Sequence, residues 1–215
     1  WDNGLSDSLE ELRITGGEPL MSANTWKLFD WFNEQQSDMR FAINSNLIAK
    51  DSIIDKLIDK TQGMKHFELY TSCEAVGLQA EYIRDGLVYD QWLANIKRML
   101  TEANCHGVHI MMTINSLCLF SIVEFFEDMK TLKKKYGAHR PNMDLNILRW
   151  PSFMSPLMLP DEIKLTLRNK LQNWYNENKD SDLFVQGEKA QLERLIDYLD
   201  VVQKGHTTTE NDKEL

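Results

Sequence analysis

The sequence predicts an α/β fold around a parallel β-sheet, and two observations lead to this prediction. Short β-rich runs alternate with longer segments of helical periodicity, five times along the chain. The β-rich runs begin at residues 11, 40, 66, 107 and 143, and are thus 29, 26, 41 and 36 residues apart. This spacing is close to the ~31 residues per unit of an eightfold βα barrel. Five units cannot close such a barrel, so an open or partial barrel and a doubly wound sheet remain as alternatives.

The predicted strands combine apolar and β-branched residues, as buried parallel strands do. They are Glu11–Thr15, Arg40–Asn44, His66–Ser72, Gly107–Ile114 and Met143–Trp150. The predicted helices carry apolar residues at spacings of three and four, which places a buried stripe on each. Clear examples are Ile54, Leu57 and Ile58, then Trp92, Ile96 and Leu100, then Phe125, Met129 and Leu132, and finally Leu192, Leu195 and Leu199.

Charge and cysteine content exclude several classes of protein. The 215 residues include 24 basic and 33 acidic side chains, a formal net charge of −9. This charge argues against a general nucleic-acid or anionic-membrane binder, and no apolar run is long enough to span a membrane. The three scattered cysteines do not form a disulfide framework, and they favour a cytoplasmic location.

The predicted organisation is a barrel core over residues 1–176, a C-terminal helical extension over 177–204 and a polar tail or linker over 205–215. The chain begins at Trp1 with neither an initiator Met nor a secretory leader. We therefore expect it to be a fragment of a longer protein.

Polar side chains follow every predicted strand. Because ligands of parallel α/β folds sit at the carboxyl ends of the strands, these segments are the candidate site. They are Thr15-Gly16-Gly17-Glu18-Pro19, Asn44-Ser45-Asn46, Thr71-Ser72-Cys73-Glu74, Thr113-Ile114-Asn115 and Leu148-Arg149-Trp150. Paired glycines let a ligand approach the backbone, although a tight turn before a Pro-initiated helix would show the same residues.

The order of these segments resembles the radical SAM enzymes. Ile14-Thr15-Gly16-Gly17-Glu18-Pro19 looks like their Gly-Gly-Glu-Pro motif, which follows the second strand of a partial (βα)6 TIM-like barrel. The run Asn146–Pro151 looks like the sixth strand of the twitch-domain subgroup. The resemblance covers residues 8–160 and implies a barrel that lacks its first strand and the cluster loop after it.

The resemblance also implies roles for individual residues. Gly16, Gly17 and Glu18, followed by Pro19, would hold the methionyl amine of S-adenosylmethionine. Asn44-Ser45-Asn46 stands at the strand end where the family often has Thr-Asn-Gly, so Asn44 is a further candidate for cofactor binding.

Further along the chain, Ser72 and Glu74 would bind ribose hydroxyls. Asn115 would contact the nucleoside or the carboxylate. Arg149 would pair with the carboxylate, for which a guanidinium fork is suited.

One family feature is missing. The defining Cys-x3-Cys-x2-Cys holds a 4Fe–4S cluster, and Cys73, Cys105 and Cys118 lack that spacing. We expect the cluster ligands upstream of Trp1, and we interpret these three cysteines as buried apolar residues. The implied full-length activity is reductive cleavage of S-adenosylmethionine to a 5′-deoxyadenosyl radical. The implied partners are an unidentified small-molecule or peptide substrate and an electron donor such as flavodoxin or ferredoxin, with the fragment itself inactive.

Two alternatives remain open. A degenerate, cluster-free barrel would bind a nucleotide-like ligand or a protein. An unrelated α/β enzyme would use the carboxylates of Glu18 and Glu74 for acid–base chemistry.

Overall fold

Five parallel strands form a single sheet at the centre of the molecule. The computed structural model describes residues 4–201. The strands are β1 (Glu11–Ile14), β2 (Arg40–Asn44), β3 (Phe67–Ser72), β4 (Gly107–Ile114) and β5 (Pro141–Ile147), and they pair in the order β1-β2-β3-β4-β5. Every pairing is parallel. The predicted α/β fold is confirmed, and the sequential strand order rules out a doubly wound sheet, in which the order reverses.

Helices connect the strands and extend beyond the last one. They are α1 (Leu5–Ser8), α2 (Ala23–Gln35), α3 (Asp51–Thr61), α4 (Gly77–Ile83), α5 (Tyr89–Thr101), α6 (Ile122–Tyr136), α7 (Asp161–Asn178) and α8 (Gln186–Leu199). Helix α7 runs through the expected boundary between residues 176 and 177, and the expected tail at 205–215 lies outside the described residues. None of the helices within residues 4–201 is long and apolar enough to cross a membrane.

The two faces of the sheet differ in chemistry because successive side chains of a strand point to opposite sides. One face is apolar and lies under the helices. There Phe41 of β2 packs against Phe29 and Phe32 of α2, with ring centroids 5.0 and 4.6 Å apart. We call the opposite side the polar face. The strand register places on it Arg13, Asn44, Glu68, Tyr70, His109 and Asp144.

Helix α8 covers the outer edge of β5. Met143 N donates to Glu188 Oε1 and Leu145 N donates to Gln191 Oε1, both at 2.8 Å. Arg194 Nη2 donates to the carbonyl of Leu145 at 2.8 Å. These side chains satisfy the backbone groups that an edge strand otherwise exposes to further strands.

A buried ion pair fixes the position of α8. Lys133 Nζ of α6 lies 2.9 Å from Glu188 Oε1, and the two side chains are 0% and 2% exposed. Lys133 also donates to the carbonyl of Ala138 at 2.7 Å, and Glu188 Oε2 accepts from Val185 N at 2.9 Å. The pair therefore joins α6, the segment before β5 and the start of α8.

The prediction for the last strand was wrong at both ends. It was placed at Met143–Trp150, whereas β5 is Pro141–Ile147. The final backbone bond toward β4 runs from Leu148 N to the carbonyl of Ile114 at 2.9 Å, because β4 itself ends at that residue. Arg149 thus lies beyond the sheet.

We expect Lys133→Met to lower the free energy of unfolding by ~3–5 kcal/mol, because Glu188 would be left as an uncompensated buried charge. Chemical denaturation measures this change. The exposed neighbour Lys134 is the matched control, and Lys134→Met should change stability by less than ~0.5 kcal/mol. Equal effects of the two variants would show that the buried pair has no special role.

Candidate functional site

A cavity of about 420 Å³ opens at the carboxyl ends of β1, β2 and β3. This is the end at which parallel α/β folds bind ligands. Four of the predicted site residues line it, namely Gly16, Gly17, Asn44 and Ser72. The other lining residues are Ser45, Asn46, Ile48, Tyr70, Ile83, Arg84, Asp85 and Leu87.

The two glycines after β1 present bare backbone to this cavity. Gly16 and Gly17 have φ angles of +88° and +56°, which other residues adopt only with strain. A Cβ built on either residue would meet no atom within 4 Å. Pro19 follows as the first residue of a short 3-10 helix, Pro19–Met21, and is buried. Helix α2 begins only at Ala23, so Pro19 opens this turn and not the α-helix as expected.

The Glu18 carboxylate joins the loop after β1 to the loop after β2. Its Oε1 accepts from Ser45 Oγ at 2.8 Å and from Leu20 N at 3.1 Å. Its Oε2 accepts from Asn46 N at 2.8 Å. A carboxylate has about four lone-pair positions, so these three donors leave about one for a ligand. The principal contacts of Glu18 are therefore within the protein.

The loop after β2 is held in an unusual conformation. Leu47 is fully buried with a φ of +56°, a conformation that costs about 1–3 kcal/mol for a residue other than glycine. Ser45 Oγ accepts from Leu47 N at 3.1 Å, and Asn95 Nδ2 donates to the carbonyl of Leu47 at 2.8 Å. These bonds, with those of Glu18, hold Ser45 and Asn46 at the cavity wall.

Glu74 lies behind the cavity wall and does not line it. Its side chain is 3% exposed, and Oε2 accepts from Arg84 Nη2 at 2.6 Å and from Arg84 Nε at 3.1 Å. Burial raises the pKa of Glu74, and the neighbouring guanidinium opposes this effect. The charged residues after β3 that line the cavity are Arg84 and Asp85, and neither was a predicted site residue.

Asn115 and Arg149 also lie outside the cavity. The buried Asn115 side chain accepts from Leu117 N and Cys118 N at 2.9 and 3.0 Å, and it donates to the carbonyl of Thr113. It thus stabilises the turn after β4. Arg149 is exposed beyond β5, with its guanidinium 5.9 Å from the ring centroid of Tyr198. Both residues follow the carboxyl ends of their strands, yet neither lines the cavity beside the two glycines.

The three cysteines are buried free thiols, as predicted. Burial raises the pKa of Cys73 and of Cys105 to about 12 and raises that of Cys118 as well. Within residues 4–201, no group of three or more His, Cys, Asp or Glu side chains is arranged to hold a metal ion. The described residues therefore offer no ligand set for an iron–sulfur cluster.

Comparisons with known proteins add little to this description. No family model matches the sequence, and no curated protein matches it. One similar solved structure is a domain of pyruvate-formate lyase-activating enzyme from Bacteroides vulgatus ATCC 8482, with 17% identity and a TM-score of 0.44 over 76% of this chain and 93% of that chain. Another is anSMEcpe with bound AdoMet and a Cp18Cys peptide, with 12% identity and a TM-score of 0.46 over 78% of this chain and 47% of that chain. Likenesses at this level of identity and TM-score do not establish the function of this chain.

We expect Glu18→Ala to lower the free energy of unfolding by about 1–3 kcal/mol, because the hydroxyl of the buried Ser45 and the amide of Asn46 lose their acceptor. The amide of Asn46 should also exchange faster with deuterium. Denaturation and hydrogen exchange measure these two effects. Glu34→Ala, which changes an exposed residue of α2, is the control. Unchanged exchange at Asn46 would contradict the role assigned to Glu18.

Proposed function

We propose that this chain is the S-adenosylmethionine-binding part of a radical SAM enzyme. The observation that carries the proposal is the pair of open glycines, Gly16 and Gly17, which share one cavity with Asn44 and Ser72. The cavity volume of about 420 Å³ lies within the ~300–1,000 Å³ of typical small-molecule sites. The motif resemblance supports the identity of the ligand, and the size and lining of the cavity support a small-molecule site at these residues.

The residues that line the cavity suit the parts of this ligand. The peptide groups at Gly16 and Gly17 can contact the methionyl ammonium without a Cβ in the way. The Asn44 amide and the Ser72 hydroxyl can exchange hydrogen bonds with hydroxyl or amino groups. We assign to Glu18 the positioning of the β2 loop, and to Glu74 the positioning of Arg84.

The cluster that the family uses does not fit the described residues. Cys73, Cys105 and Cys118 are buried, and no other group there could replace thiolate ligands. A cluster would therefore need ligands from outside residues 4–201. The proposed activity of the full protein is reductive cleavage of S-adenosylmethionine to a 5′-deoxyadenosyl radical, with hydrogen abstraction from an unidentified small molecule or peptide. The proposal includes a flavodoxin- or ferredoxin-like electron donor and membership of the twitch-domain subgroup.

A cluster-free nucleoside-binding barrel is the second candidate, and the absence of cluster ligands among the described residues favours it. The acid–base alternative is weaker. Glu18 accepts three hydrogen bonds, and Glu74 is buried against Arg84. Most of the acceptor capacity of Glu18 is used within the protein, and Glu74 does not line the cavity.

Anaerobic reconstitution of the full-length gene product with iron and sulfide distinguishes the two candidates. The radical SAM proposal requires an iron–sulfur absorption band and 5′-deoxyadenosine after reduction in the presence of S-adenosylmethionine. Ligand binding with neither result would favour the cluster-free barrel. Failure to bind any adenosyl compound would exclude both.

We expect Gly17→Ala to weaken binding of S-adenosylhomocysteine about tenfold, because the new methyl group would occupy space used by the ligand. Isothermal titration calorimetry measures the affinity. Gly137→Ala is a matched control, since Gly137 also has a positive φ, of +102°, but ends α6 far from the cavity. If both variants bind like the wild type, the glycines do not contact the ligand.

A further inference from the structure

Arg13, on the polar face of the sheet, is a cation with no acidic partner among the described residues. It lies in β1 and is half-buried. Its Nε donates to Asn44 Oδ1 at 2.8 Å. The ion pairs among residues 4–201 do not include Arg13, and the adjacent Glu11 pairs instead with Arg40 at 2.8 Å. Its two terminal nitrogens are therefore available to another acceptor.

The guanidinium is held in one orientation by an aromatic ring. Its central carbon lies 3.5 Å from the ring centroid of Tyr70, within the range of a cation–π contact. The register places Ala42 between Arg13 and Glu68 on this face, and the small side chain leaves room for the arginine to lie across β2. His109 stacks on Tyr70 with ring centroids 4.4 Å apart. The arginine is thus part of a packed layer across the sheet.

Glu68, an acidic residue on the same face, contacts Tyr70 and His109. Glu68 Oε2 lies 3.3 Å from the hydroxyl of Tyr70 and 3.3 Å from Nε2 of His109. Burial lowers the pKa of His109, although Glu68 and Asp144 oppose this effect and Arg13 adds to it. His109 is therefore neutral near pH 7, and Arg13 carries the positive charge of the layer.

We infer that Arg13, oriented by Asn44 and Tyr70, binds a carboxylate group of a ligand in the cavity. Asn44 and Tyr70 both line the cavity, and Arg13, which is not itself a lining residue, contacts both of them. A ligand carboxylate that extends past these two side chains would reach the guanidinium. A planar guanidinium with two free terminal nitrogens suits a carboxylate in a bidentate arrangement. The inference deepens the proposed function, because the carboxylate belongs either to the methionyl group of the cofactor or to the substrate.

Calorimetry on the full chain with three probes tests this inference. S-adenosylhomocysteine carries the methionyl carboxylate, methylthioadenosine has the same nucleoside without it, and malonate is a carboxylate alone. We expect Arg13→Gln to weaken at least one carboxylate probe about tenfold or more, as for loss of a charge-assisted hydrogen bond. Methylthioadenosine should bind unchanged. Arg40→Gln, in the next strand, is the matched control and should leave all three affinities unchanged.

The pattern of losses identifies the source of the carboxylate. Loss of S-adenosylhomocysteine affinity assigns Arg13 to the cofactor. Loss of malonate affinity alone, measured with methylthioadenosine bound, assigns it to the substrate. Arg13→Lys keeps the positive charge but not the planar guanidinium, so it should show a smaller loss of the same affinity. It takes the place of Arg13→Gln in the test if that variant fails to fold.

The inference is overturned if Arg13→Gln and Arg13→Lys bind both carboxylate probes like the wild type. It is equally overturned if the wild type binds neither carboxylate probe, or if Arg40→Gln loses as much affinity as Arg13→Gln. If methylthioadenosine does not bind but malonate binding depends on Arg13, the proposed function fails while the carboxylate site stands.

Discussion

The unequal faces of the sheet are the constraint on which the rest of the structure depends. In the part of the chain that the structure describes, helices pack on the apolar side, where residues such as Phe41 and Phe67 are fully buried. A parallel sheet normally has both faces covered, so the polar groups of the other side need partners of another kind. The hydroxyl of Tyr70 donates to Glu68, and the ring of Tyr70 stacks on His109. Within residues 4–201, Arg13 contacts an amide and a ring but no carboxylate, and this unmatched charge is the basis of the carboxylate site proposed above.

The strands and the glycines could be predicted from the sequence because their determinants are local. The bounds of β2 and β4 match the prediction, since apolar runs there end at turn-forming residues. The partners of Glu18 could not be predicted, because Ser45 and Asn46 lie 27 and 28 residues away and meet it only after β1 and β2 pair. Arg84 was missed for a similar reason. Its position depends on the short helix α4, whose seven residues carry too little periodicity to be recognised.

The two edges of the sheet differ in whether a further strand could pair with them. At β5, side chains of α8 occupy the outward-facing backbone groups of Met143 and Leu145. The Lys133–Glu188 pair holds that helix in place, so another strand cannot join there without displacing it. Among residues 4–201, no strand pairs with the outer side of β1. In a larger barrel, an additional strand would therefore pair with β1, the strand that leads into the two glycines.

The position of Glu18 changes how its motif is understood. An acidic residue after two glycines suggests direct contact with an ammonium group, yet most of its acceptor capacity is used within the protein. The Glu18 carboxylate joins the loop after β1 to the loop after β2 in the absence of a ligand. The loop after β2 contains the strained Leu47. Binding sites gain affinity when their loops are already ordered, because less conformational entropy is then lost on association. The ligand would consequently meet backbone at Gly16 and Gly17 and side chains at Asn44 and Ser72, while Glu18 acts by keeping these elements in register.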